Sequence, residues 1–152
     1  MTARELMSAP AETCRPTTNL AAVTQLMWNR DCGFVPVVDA DGHVAGVLTD
    51  RDISVAVATR RLLPERISAS QVMTVAVHAC APDDSADAVL ATMKQHQVRR
   101  VPVVDAQGRL QGVISMNDVV RVAGRKGAPT AASVVATLAA ICAPRPVAIA
   151  AG

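Results

Sequence analysis

The sequence predicts an α+β protein: two tandem β-α-β-β-α units packed on each other about a pseudo-twofold axis. Three observations carry that expectation. The chain repeats itself once without a gap. Each copy passes from a helical apolar period to short Val-rich runs, in the same order. The composition, 51% hydrophobic against 18% charged residues with a mean hydropathy of +0.28, is that of a chain that buries a sizeable core and is not disordered.

The repeat is plainest where "GFVPVVDADGHVAGVLTDRD", Gly33 to Asp52, returns as "RRVPVVDAQGRLQGVISMND", Arg99 to Asp118. The same spacing of 66 residues pairs Met7 with Met73, Cys14 with Cys80, Pro16 with Pro82, Val23 with Val89, and Met27 with Met93. It also pairs Pro36 with Pro102, Gly42 with Gly108, Gly46 with Gly112, and Asp52 with Asp118. Two copies are too few for a solenoid, and each is too short to bury a two-sided sheet alone, so the copies must pack together. The expected boundaries are residues 1–60 for the first repeat, 61–71 for a linker centred on "RRLLPERISAS" (Arg60–Ser70), 72–124 for the second repeat, and 125–152 for an Ala-rich helix and tail.

Within each repeat the elements follow in order. A short extended piece is expected near "ETC" and "VHAC". A helix with one apolar face follows, marked by Ala22, Val23, Leu26 and Met27 in the first copy and by Ala88, Val89 and Met93 in the second. "FVPVVD" and "VPVVD" read as strands, with Pro36 and Pro102 placed at a strand edge or beginning because proline donates nothing to a ladder. Turns at "ADG" and "AQG", where Gly42 and Gly108 tolerate positive φ, lead into "HVAGVLT" and "RLQGVIS" and close a hairpin. Thr49 and Ser115 stand where a helix N-cap belongs, ahead of "DRDISVAVAT" and "MNDVVRVA". "ASVVATLAAIC" predicts a last helix, followed by the proline-broken "APRPVAIAAG".

Several function classes fall away. A formal charge of +2, one Trp, one Phe and no Tyr give neither the basic surface nor the stacking platform of a nucleic-acid binder. "MTARELMSAP" lacks the apolar run of a secretory signal, and the uncharged stretch Ala128 to Pro144 is broken by Pro129, so no membrane association is expected and the cytoplasm is the expected location. Cys14, Cys32, Cys80 and Cys142 are scattered without a C-x-x-C pair and read as reduced thiols, Cys14 and Cys80 as small buried hydrophobes. His43, His78 and His96 lie far apart, so a metal site would have to be assembled by the fold, and none is expected. "DADG" lacks the length and closing Glu of a calcium loop and reads as a turn. No catalytic triad, Walker loop or G-x-G-x-x-G is present, so the expectation is a protein that is not an enzyme and carries no cofactor.

The order "VMT", a Pro before a helix, "VPVVD", a Gly turn, then Gly, an apolar residue, Ser or Thr, and Asp three residues later resembles the cystathionine β-synthase (CBS) domain. Here it is written twice, as in the tandem pair called a Bateman module. The resemblance covers roughly Leu6 to Ala58 and Val72 to Ala123. It implies a regulatory sensor that binds AMP, ADP, ATP or a related adenosyl compound in the clefts between repeats, forms a homodimer, and signals to an effector protein of unknown identity. The alternatives are a ligand-free scaffold and, further off, a thiol- or metal-responsive stress protein.

The chemistry of "GVLTDRD" and "GVISMND" fits that implication. A nucleotide needs acceptors for its ribose hydroxyls and donors for phosphate, and each stretch sets a hydroxyl residue one helical turn from an Asp. Thr49 and Ser115 would face phosphate, and Asp52 and Asp118 would take the ribose. A competing reading makes the same four residues two capping boxes. By resemblance, Ser8, Ala11, Cys32 and Gly33 would accompany Ser115 and Asp118, while Thr74, Val77, His78, Val98 and Arg99 would accompany Thr49 and Asp52. Simple core packing is the other reading of Val77, Val98 and Cys32. Arg99 and Arg100 are either a solvated pair or, by resemblance, guanidinium groups turned to phosphate in the cleft of Ser115 and Asp118. The matched residues are Gly33 and Phe34, so the other cleft would rely on Thr49 and Arg51, and unequal sites are expected.

Overall fold

The computed structural model of the protein describes residues 1–144. The tail expected over Ala143 to Gly152 lies, from residue 145 onward, outside the described residues. The order is α1 (Ala3–Leu6), α2 (Leu20–Asn29), β1 (Phe34–Val38), β2 (Val44–Thr49), α3 (Asp50–Arg60), α4 (Ala86–His96), β3 (Arg100–Val104), β4 (Leu110–Ser115), α5 (Met116–Val122) and α6 (Ala131–Cys142). Two short 3₁₀ turns, Pro64–Arg66 and Ala69–Gln71, occupy the stretch between the repeats. The α+β architecture of two like halves is the one the sequence predicts.

Each half is built on an antiparallel hairpin, β1 with β2 and β3 with β4, in identical register: Pro36 faces Val47 as Pro102 faces Val113. Both prolines sit mid-strand rather than at its beginning. Their backbone faces away from the hairpin partner, where Cys14 and Cys80 add single parallel bridges by donating to the carbonyls of Pro36 and Pro102 at 3.1 and 3.0 Å. No ladder bond of the hairpin is lost there. The turns carry Gly42 at φ +87° and Gly108 at φ +80°, a region that a side chain disfavours. Across the pseudo-twofold the turns pair with each other: Val44 N–H donates to the Gly108 carbonyl and Leu110 N–H to the Gly42 carbonyl.

The helices bury faces set slightly differently from the expected ones. Asn19 and Ser85 are the N-caps, accepting from the backbone of Ala22 and Ala88, which leaves those two alanines exposed. Leu20, Val23 and Met27 form the inner stripe of α2, and Ala86, Val89, Leu90 and Met93 that of α4.

The halves exchange their leading segments. Met7 and Ser8, from the first repeat, lie along β4 of the second, with Ser8 and Val113 bonded both ways at 2.9 and 3.2 Å. Thr74 in turn lies along β2, bonded both ways to Val47 at 3.0 and 2.9 Å. Gly46 and Gly112 make this possible. A Cβ at Gly112 would come within 2.8 Å of Met7 Sδ and the Ser8 carbonyl, and one at Gly46 within 2.7 Å of Met73 Sδ. Two cores result. One gathers Leu20, Val23, Val35, Val37, Leu48 and Ile53 with Ile67 and Ala69 from the stretch between repeats. The other gathers Val89, Met93, Val101, Ile114 and Val119 with Ala3 and Leu6 from the N-terminus, and α6 adds Val134 and Ile141. Each large aliphatic side chain so buried contributes about 1.5–3 kcal/mol. Among the described residues no helix is long and apolar enough to cross a membrane.

Candidate ligand-binding clefts

Thr49 ends β2 and caps α3; Ser115 does the same between β4 and α5. Asp52 N–H donates to Thr49 Oγ1, and Asp52 Oδ2 accepts from Thr49 N–H at 2.8 Å and from Oγ1–H at 2.7 Å. Ser115 and Asp118 repeat the arrangement at 2.8 and 2.6 Å. Both pairs are therefore capping boxes, and each spends only one carboxylate oxygen. Oδ1 of Asp52 and of Asp118 has no hydrogen bond among the described residues, and both side chains are partly exposed. One oxygen holds the helix end and the other is open to a hydroxyl donor.

The exchanged segments bring residues of opposite repeats alongside the strands that end in these caps. Ser8 is bridged to Val113, two residues before Ser115, and Thr74 to Val47, two residues before Thr49. The other candidates fall into several groups. Cys32, Gly33 and Arg100 meet in a cavity of about 450 Å³, which Trp28, Asp31 and Asp50 also line. Ala11 lines a separate recess of about 220 Å³ beside Gly42 and Gln111. Cys32 and Val98 pack on the first and second cores. Val77 is half-buried, and Arg51 is exposed and lines none of these cavities. Arg99 and Arg100 diverge: the Arg99 guanidinium donates to Cys142 Sγ of α6 at 3.9 Å, while Arg100 turns into the large cavity.

Sequence reasoning missed Trp28, Asp31 and Asp50. The available signal was the failure of the repeat at those places, where the second copy has Lys94, Gln97 and Met116.

The fold brings two of the three histidines together. The rings of His78 and His96 stack with centroids 3.6 Å apart and 9° between planes. At the matched places of the first half stand Glu12 and Arg30, an ion pair at 3.1 Å. Burial first, and then the charge of His96, hold His78 below its ordinary value of 6.5. The folded chain thus binds fewer protons than the unfolded one as this imidazole titrates. Its contribution is complete above about pH 6.5 and is lost as the pH falls through the window beneath. Melting temperature is expected to fall between about pH 7.5 and 5.5, and by less in His96→Gln. A drop of the same size in that variant would assign the dependence to other groups.

Asp39, Asp41 and His43 form the one three-residue group of potential metal ligands among the described residues. Asp39 Oδ1 accepts from the backbone of Asp41 and His43, and Asp105 Oδ1 likewise from Gln107 and Arg109. The same turn forms where Gln and Arg replace Asp and His, so the turn's own hydrogen bonds account for bringing the three residues together. Cys14 and Cys80 lie in different cores, and burial pushes the Cys14 thiol up to about 11 and the Cys80 thiol upward. Neither is a ready thiolate.

The family model of the CBS domain matches residues 3–59 and 69–125. The chain belongs to the CBS-domain family. Hypoxic response protein 1 of Mycobacterium tuberculosis is 32% identical over 120 residues, spanning 79% of this chain and 83% of that protein. A crystal structure of Hypoxic Response Protein I, solved with two coordinated zinc ions, superposes with a TM-score of 0.73, covering 80% of this chain and 98% of that one. Inosine-5'-monophosphate dehydrogenase of Mycobacterium leprae is 35% identical over 109 residues, but the match spans 72% of this chain and only 20% of that enzyme. The CBS pair of protein MJ0100, solved with 5-methylthioadenosine and S-adenosyl-L-methionine, shares the fold at a TM-score of 0.72 and 24% identity, covering 80% of this chain and 94% of that one.

Proposed function

We propose that this CBS pair is a regulatory sensor: it binds an adenine nucleotide of the AMP, ADP or ATP class in the clefts between its repeats and passes its occupancy to a partner protein. The carrying observation is the matched pair Asp52 and Asp118, each with one oxygen spent on a cap and one open, beside a segment from the opposite repeat. The open oxygens would take the ribose. Ser8, Ala11, Cys32 and Gly33 remain the proposed companions of Asp118, and Thr74, Val77, His78, Val98 and Arg99 those of Asp52. That a CBS pair of this fold holds adenosyl compounds supports the ligand class. The role is regulatory rather than catalytic, the location cytoplasmic, and the assembly a homodimer. Trp28, 82% exposed, and the outward Val55 of α3 and Val120 of α5 form apolar faces suited to a second copy.

A thermal-shift panel of AMP, ADP, ATP, NAD, S-adenosylmethionine and zinc tests the reading. A ligand at a hundred times its Kd adds about 2.7 kcal/mol to stability. Stabilisation by an adenine nucleotide is the expected result. A response to zinc alone would favour the metal-responsive alternative, which the zinc-bearing relative supports. Silence across the panel would favour the scaffold.

A further inference from the structure

We propose that Arg121 and Arg125 form an anion subsite that takes the phosphate of the ligand whose ribose Asp118 holds; this rests on the nucleotide reading and adds the residues that read the phosphate. A recess of about 150 Å³ is lined by Asp118, Arg121, Val122 and Arg125. That is smaller than the roughly 300–1,000 Å³ of a whole small-molecule site, so the recess suits one group of a ligand that lies mostly elsewhere.

The three charged residues follow at i, i+3 and i+7. Asp118 is in the first turn of α5, Arg121 is in its last, and Arg125 lies just past the end of the helix at Val122. Neither guanidinium has an ion pair or a side-chain hydrogen bond among the described residues, and Asp118 Oδ2 is engaged by Ser115 rather than by either arginine. Two cations therefore face one carboxylate. In the larger cavity the balance is reversed, with Arg100 facing both Asp31 and Asp50. A phosphate carrying up to two negative charges is attracted to the recess and opposed by the cavity. The paired, planar forks of two arginines also match phosphate oxygens in a way that single point charges do not.

The first half has no equivalent. Val55 and Thr59 stand at the matched places, beside Asp52. The inequality of sites that the sequence suggests through Arg99 and Arg100 thus has a second source, in residues that share a recess. Because both arginines are exposed, the attraction is screened, and affinity for a phosphorylated ligand should weaken with salt.

The test compares full-length protein with the Arg121→Gln/Arg125→Gln double variant, titrated with AMP, adenosine and inorganic pyrophosphate, with circular dichroism to confirm folding. AMP affinity is expected to fall about tenfold or more in the double variant, with adenosine unchanged and the salt dependence of AMP binding reduced. Unchanged AMP affinity would overturn the subsite and leave the nucleotide reading standing. If wild type binds neither AMP nor adenosine, the nucleotide reading fails; pyrophosphate binding that disappears in the double variant would still support the subsite, and its absence from wild type would overturn both.

Discussion

Replacing Ile67 by alanine is expected to cost about 2–5 kcal/mol, the range for emptying a buried aliphatic site. Ile67 lies in the stretch between the repeats, yet it is 0% exposed and belongs to the first core with Leu20, Val23 and Leu48. Its backbone carbonyl also accepts from Leu20 N–H at 2.9 Å, at the start of α2. Removing the side chain leaves a cavity walled by a helix and a strand that the rest of the half holds in place, so collapse around it is limited. Leu63, four residues earlier, is 69% exposed. Leu63→Ala should stay within about 0.5 kcal/mol of wild type. Urea unfolding followed by circular dichroism distinguishes the two, and equal midpoints for both variants would remove Ile67 from the core.

Asp118→Asn is expected to weaken AMP binding about tenfold or more, because a ribose hydroxyl bonded to a charged acceptor is worth about 1.5–3 kcal/mol. Asparagine is the informative choice. Its amide oxygen can still accept from Ser115 N–H and keep the helix end, whereas alanine removes that contact as well and should cost a further 0.3–1 kcal/mol or so of stability through the first turn of α5. Asp52→Asn should cost less affinity, since its half has Val55 and Thr59 where the other has two arginines. Calorimetric titration of the three proteins reads both effects. Unchanged affinity and stoichiometry in both Asn variants would reduce Asp52 and Asp118 to helix caps.

The caps, hairpins and helix order were legible because each rests on local chemistry: Thr49 and Ser115 before an Asp three residues on, a Gly at each turn, Val at alternate strand positions. Offset 66 also pairs Asp52 with Asp118, the carboxylates proposed for the clefts. The exchange of leading segments was hidden for a physical reason. A repeat states that Met7 and Met73 have like surroundings but not which hairpin supplies them. Gly46 and Gly112, glycines within strands, were the trace of it, since a strand glycine often marks a close backbone approach. The burial of Ile67 within the linker 61–71 leaves no trace in the sequence, because Leu62, Leu63 and Ile67 stand around Pro64, Glu65 and Arg66 without a helical or strand period. Arg99 and Arg100 are paired by the resemblance, whereas in the structure Arg99 reaches Cys142 and Arg100 lines the cavity of Trp28, Asp31 and Asp50. Arg121 and Arg125 escaped because the motif that carries the resemblance ends at Asp118, although the family match runs on to residue 125.

A chain severed near Leu63 would yield two pieces, each holding a hairpin with one flank bare and each carrying the strip that covers the other's. The first piece has Gly46 ready for a visiting methionine and offers Met7 and Ser8. Since Gly46 and Gly112 receive like neighbours, the strip suits a second molecule of the same piece as well as it suits the missing half. Reciprocal swapping would give a true twofold dimer of single repeats, and the approximate symmetry of the present molecule is what such a dimer would leave after its two genes were joined. Tethering by residues 61–71 then converts an association that dissolves on dilution into an intramolecular one, at an effective concentration in the millimolar range for a short link. It also lets the two halves differ, as they do with Val55 and Thr59 in one and Arg121 and Arg125 in the other.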